Sequence, residues 1–211
     1  MPAIVRENIV ACVGPRQPQR IPSGGVPWFR PQDEDGLLDL CLDFLGRAWR
    51  RRPLWGILLA HEPADQPEMI ARARLLAQNC DRCFVVGSSD PSWIAMGWET
   101  TENVHPAWRE LGAIVSCQER RRDAAFLVLD GSPESAQTEL IDRLVGARDP
   151  YRTATVIRAT DTHLPSPFPG IWEAKSRIRI LQASAAGLSC PQRILTHSRI
   201  QLLDRLDSNS G

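Results

Sequence analysis

The chain is 211 residues long, with 43% hydrophobic and 24% charged residues, and its 25 basic residues are balanced by 25 acidic ones. That composition fits one medium-sized globular domain and excludes disorder for most of its length. The basic residues are 24 arginines and a single lysine, Lys175. No Gly-Lys-Ser/Thr occurs, which excludes a P-loop, and the balanced charge argues against a nucleic-acid partner.

No apolar run is long enough to span a bilayer, and Arg6, Glu7 and Asn8 interrupt the only stretch that could serve as a signal-peptide core. The expected location is cytoplasmic, with no membrane partner. There the six cysteines, at 12, 41, 80, 83, 117 and 190, are expected as buried thiols. Cys80 and Cys83 form a lone C-x-x-C. It lacks the second ligand pair of a zinc site, and it precedes a strand instead of opening a helix as a redox motif would.

In chain order, residues 1–33 form an irregular Pro/Gly-rich leader. An amphipathic helix over 34–52 follows, with acids at its start and Arg47, Arg50, Arg51 and Arg52 at its end, before Pro53 stops it. The main domain is expected over 53–207. Apolar runs predict strands over 54–60, 82–86 and 124–130, and β-branched or aromatic runs predict strands over 153–158 and 168–173. Helical spacing predicts helices over 67–79, 107–120, 132–147, 176–186 and 199–206, while 88–106 reads as looser chain. This alternation describes an α/β fold, a three-layer Rossmann-like domain with a mainly parallel sheet, whose ligands bind beyond the strand carboxyl ends. The loops after Ala60, Gly87 and Asp130 are the places to look.

Asp130 closes a wholly apolar strand and opens Asp-Gly-Ser-Pro. A carboxylate so placed either holds Mg2+ against phosphates or caps the turn that follows, sharing the N-capping with Ser132. The loop His61-Glu-Pro-Ala-Asp-Gln-Pro67 has no glycine, which makes it a poor phosphate cradle. His105, His163 and His197 show neither triad nor metal-site spacing.

Three stretches carry a family resemblance: PEMIARARLLAQNCDRCFVVG (67–87); Leu111 to Ser116 followed by Asp123 to Asp130; and Ala147 to Tyr151 through Pro167 to Glu173 to Cys190-Pro-Gln-Arg-Ile-Leu195. In order and spacing the chain from about Trp55 to Leu203 resembles the molybdenum cofactor guanylyltransferases, a nucleotidyltransferase family of the sugar-nucleotide pyrophosphorylase-like fold. The resemblance implies transfer of GMP from GTP to molybdopterin with release of pyrophosphate. It also implies nucleotide contacts at Ala60, His61 and Gly112, and Mg2+ on Asp130.

The departures concern the site itself. The family's glycine-rich loop after the first strand, with its arginine and lysine, is replaced by His61-Glu-Pro-Ala, and Asp130 and Pro133 are one residue further apart than the family's spacing. Nucleotidyl transfer depends on positioning and charge neutralisation, so losing that cradle predicts weak or absent activity. Arg72 and Arg109 are the candidates to replace the lysine. The alternative is a non-catalytic homologue that binds a partner protein, a pterin or a nucleotide during molybdoenzyme maturation.

Overall fold

The computed structural model describes residues 12–13, 28–29, 53–60, 67–159 and 162–204. The chain divides into two units, Met1–Arg52 and Pro53–Gly211. In the first, strand β1 (Cys12–Val13) pairs in parallel with β2 (Trp28–Phe29). The expected helix over 34–52 lies outside the described residues.

The second unit is built on a seven-stranded sheet. Its strands are β3 (Leu54–Leu59), β4 (Arg82–Val86), β5 (Glu99–Thr101), β6 (Ala125–Leu129), β7 (Ala154–Arg158), β8 (Pro165–Trp172) and β9 (Gln201–Leu203). They are ordered β5-β4-β3-β6-β8-β7-β9. Only β8 runs against the rest. The central strands β3 and β6 are covered on both faces, which is why they read as continuous apolar runs instead of alternating ones.

Alternate side chains of each strand feed two cores. Ile57, Phe84, Phe126, Val128 and Trp172 pack with Leu111, Ile114 and Val115 of helix α3 (Glu110–Arg120), Ile180 of α5 (Ser176–Ala185) and Leu195 of α6 (Pro191–Thr196). Leu58, Val85, Leu127 and Leu129 pack on the opposite face with Met69 and Leu76 of α1 (Pro67–Asn79), Trp93 of α2 (Pro91–Ala95), and Leu140, Ile141 and Leu144 of α4 (Thr138–Gly146). The result is the expected three-layer Rossmann-like α/β architecture.

Four local expectations are corrected. The helix expected over 132–147 is two pieces, a 3-10 turn at Pro133–Ala136 and then α4, with extended backbone at Gln137 (φ −89°, ψ 107°) between them. The break follows from Ser135, which is fully buried and hydrogen-bonded to Asp130, so the first turn is tied to the strand end and cannot continue along one helical axis. The helix expected over 199–206 is absent from the described part of that segment: α6 lies earlier, and Gln201–Leu203 is an edge strand beside β7. Ile200 and Leu202 enter one core and Leu203 the other, a strand period of two in place of the helical period expected there.

Residues 88–106 hold both α2 and β5. Asp90 caps α2 by accepting the Ser92 N–H at 2.9 Å, with Pro91 at the first helical position. Finally, α3 starts at Glu110 after a 3-10 turn at Pro106–Trp108, and Arg109 between them has φ 50°.

Candidate nucleotide site at the carboxyl edge of the sheet

From β3 the chain winds outward to β4 and β5, then returns to place β6 on the other side of β3. The crevice beyond the ends of β3 and β6 is therefore the sheet's topological switch point, where open α/β sheets bind ligands. Register pairs Leu58 with Leu129, so Asp130 emerges level with Leu59 and Ala60 lies one residue beyond it.

Asp130 is half-buried and held by its own loop. Its Oδ1 accepts the Ser132 N–H at 3.1 Å, the Ser132 hydroxyl at 2.5 Å and the Ser135 hydroxyl at 2.7 Å. Its own N–H donates to Ser135 Oγ at 3.1 Å. Oδ2 accepts no hydrogen bond from any described residue. The turn-capping reading of Asp130 thus accounts for one carboxylate oxygen and leaves the other available.

Arg72 approaches the same loop from α1. It is 4% exposed, and its Nη2 donates to the carbonyls of Gly131 at 2.8 Å and Ser132 at 3.2 Å. Its Nε is buried without a partner, and no carboxylate among the described residues pairs with it. Of the two arginines that sequence reasoning considered, this one reaches the Asp130 loop. Arg109 is exposed, and its carbonyl accepts from Asn103 Nδ2 at 2.8 Å.

The remaining expected positions separate. Ala60 is fully buried and its N–H is already bonded to Val86 O at 3.0 Å, so it offers a ligand no donor of its own. His61 lies outside the described residues. Gly112 sits in the first turn of α3, where an added Cβ would come within 2.2 Å of the His105 carbonyl oxygen and 2.5 Å of Asn103 Oδ1. Its lack of a side chain lets α3 close on the 103–105 loop, which is further held by the bond from Val104 N–H to Ser116 Oγ at 3.0 Å.

Two features escaped sequence reasoning. Ser135 was hidden inside an expected helix. The other is an arch in β8: Val156 pairs with Gly170 but Ile157 with Ser166, which leaves Pro167, Phe168 and Pro169 out of the ladder. An added Cβ on Gly170 would meet Pro167 O at 2.7 Å, so glycine permits the arch. Because Val128 pairs with Gly170, the arch flanks Asp130. A strand read as starting at Phe168 concealed it, although Pro-Phe-Pro-Gly is the visible signal.

Lys175 is elsewhere. It follows β8 at the amino edge of the parallel strands, where its Nζ donates to the Tyr151 carbonyl, and burial pushes its amine below the usual lysine range. Phe126 pairs with Trp172, so even the end of β8 lies four β6 residues, roughly 13 Å, below Asp130.

The described residues contain no group of three His, Cys, Asp or Glu able to hold a metal. Mg2+, however, commonly takes one or two carboxylates and completes its shell with water and substrate phosphates. One fixed carboxylate with a free oxygen fits that mode, as a half-site that a phosphate must complete.

Strand order and the single reversed strand define the class: a three-layer Rossmann-like domain of the nucleotidyltransferase fold. Among solved structures, the chain is similar to molybdopterin-guanine dinucleotide biosynthesis protein A from Archaeoglobus fulgidus, at 10% identity and a TM-score of 0.50, over 72% of this chain and 83% of that one. It is also similar to a protein from Aquifex aeolicus VF5, at 9% identity and a TM-score of 0.53, over 76% of this chain and 95% of that one. No protein-family model and no curated protein sequence matches it. The family resemblance read from three sequence stretches therefore has its counterpart in the fold.

Proposed function

We propose that this chain is a divergent guanylyltransferase-like protein that binds a nucleotide, GTP by resemblance, at the Asp130 loop and performs nucleotidyl transfer to molybdopterin slowly or not at all. The observation that supports this reading is Asp130 itself, at the switch point, with Oδ1 fixed by Ser132 and Ser135 and Oδ2 unengaged by any described residue. Mg2+ held there would neutralise charge on the phosphates. The protein's own contribution is to orient that carboxylate through the two serines and to brace its loop through Arg72.

Transfer is slow because nothing in the described crevice replaces the lysine of a triphosphate cradle. Arg72 spends Nη2 on backbone carbonyls, and Ala60 spends its N–H on β4. A non-catalytic role, capturing a nucleotide or a pterin for a molybdoenzyme or a maturation partner in the cytoplasm, is the limit of the same reading when the transfer rate falls to zero.

Calorimetric titration with GTP and Mg2+, followed by pyrophosphate release with molybdopterin present, tests it. The expected outcome is metal-dependent GTP binding that Asp130→Asn abolishes, with little or no pyrophosphate. Turnover at an ordinary enzyme rate, about 10 per second, would refute the degenerate part of the reading. Absence of binding by both GTP and a pterin would refute the site.

A further inference from the structure

We propose that the face built by α5 and α6 is a docking surface for an acidic amphipathic segment of a partner protein. From Ala174 to Leu203 the sequence carries Lys175, Arg177, Arg179, Arg193 and Arg199 and no Asp or Glu, in a chain whose 25 basic and 25 acidic residues otherwise cancel. Two of these, Arg179 and Arg193, line a recess of about 250 Å³ between the two helices. Ala183, Leu188 and Ile194 line it with apolar surface, and Arg179, Arg193, His197 and Gln182 form its polar rim.

Arg179 and Arg193 are exposed and pair with no described carboxylate, whereas Arg177 lies 3.7 Å from Glu119 of α3. Ile178, one residue before Arg179, is 61% exposed. A basic rim around an apolar recess is complementary to a helix that presents aliphatic side chains flanked by Asp and Glu.

The same observations disfavour other polyanions. No Phe, Tyr or Trp occurs after Trp172, so among the residues lining the recess only the small ring of His197 could stack on a base. A lipid surface is engaged by several protruding apolar side chains, whereas on these two helices Ile178 alone is a strongly exposed large apolar residue among those described and Leu188 and Ile194 line a concavity. Arg179 and Arg193 lie 49 and 63 residues beyond Asp130 in sequence, and neither the surface nor the nucleotide reading needs the other.

The test is fluorescence anisotropy on the full chain with a labelled helical peptide of Glu and Leu, leucines on one face. Control probes are the same peptide with Gln for Glu, the same peptide with Ala for Leu, an oligothymidylate, and phosphatidylglycerol vesicles. Binding is expected for the Glu/Leu peptide, weakened at least about tenfold by either control change, by Arg179→Glu with Arg193→Glu, or by Leu188→Ser, and weakened by added salt. Both arginines are exposed, so the charge reversal leaves the core intact, and the peptide controls act on unaltered protein. The proposal is overturned if the Glu/Leu peptide does not bind, if the Gln or Ala peptide binds equally well, if the charge reversal changes nothing, or if the oligonucleotide or vesicles bind as tightly.

Discussion

Replacing Glu173 by Gln should be the most damaging conservative change in the described chain. Glu173 immediately follows β8 and is fully buried, and Arg148, just beyond α4, has a side chain only 12% exposed. Their contact is bidentate, Arg148 Nε to Oε1 at 2.7 Å and Nη2 to Oε2 at 3.2 Å. Solvent screening is therefore slight, and removing one charge leaves the other buried and facing a neutral amide. Breaking such a pair from one side costs about 3 to 5 kcal/mol. At about 2 to 4 °C per kcal/mol for a domain of this size, the melting temperature should fall by roughly 6 to 20 °C. Urea unfolding should show the midpoint lowered with an unchanged slope. The companion variant carrying Arg148→Met and Glu173→Leu should recover most of the loss, because a buried pair replaced as a whole by apolar side chains is often neutral. A loss below about 1 kcal/mol for Glu173→Gln, the size of a surface pair, would refute the reasoning. So would a double variant whose loss equals the sum of the two single losses, since contacting residues should couple.

Other outcomes follow from the same geometry. Gly112→Ala must displace the His105 carbonyl, which is backbone, so it should cost about 1 to 3 kcal/mol in urea unfolding; a neutral result would mean that α3 and the 103–105 loop are less closely packed than the 2.2 Å approach requires. Ser135→Ala removes both the acceptor of the Asp130 N–H and a donor to Oδ1. It should cost about 1 to 3 kcal/mol and weaken Mg2+-dependent GTP binding, and unchanged binding would show that the serine does not orient the carboxylate. Among the described thiols, Cys83 is lowered by its hydrogen bond with Cys80, while that same bond raises Cys80 and burial raises Cys117. Mass spectrometry after brief iodoacetamide treatment of the native protein near pH 8 should therefore find Cys83 and the exposed Cys190 modified before Cys80 and Cys117. Labelling of Cys117 first would contradict the packing of α3.

The residues that were easiest to read from sequence are those whose signal is purely local. The runs at 54–59 and 125–129 are apolar throughout and 82–86 is apolar after Arg82, as strands inside a covered sheet require, and α1 keeps its helical spacing from Pro67 to Asn79. The edge strands β5 and β9 were illegible for the opposite reason. Each has three residues, Glu99-Thr-Thr and Gln201-Leu-Leu, and exists because a neighbouring strand offers unpaired backbone at the sheet edge, which no window of sequence contains. Much of the third stretch, which carried the family resemblance most specifically, lies around Arg148 and Glu173, at the amino edge of the sheet. There it holds α4 to β8, so that part of its sequence signal reports packing, while only Pro167 to Gly170 of the same stretch reaches the site.

Asp130 was legible because strand, acid and glycine follow in sequence, but what the carboxylate can do was not. Its two oxygens have different fates, and that difference depends on Ser135, five residues away and in a turn that sequence periodicity assigned to a helix. The lone lysine makes a parallel point about charge. Composition alone says that one amine exists; the structure puts it beyond the opposite end of β8, bound to Tyr151. At the proposed site, cationic neutralisation of phosphate would then come from a metal ion or from guanidinium groups. Arg72 is the guanidinium that reaches the described loop, and its Nη2 is already spent on the carbonyls of Gly131 and Ser132. An arginine that braces the loop is not simultaneously available to follow a leaving pyrophosphate, which is why the proposed site is expected to bind a nucleotide more readily than to turn it over.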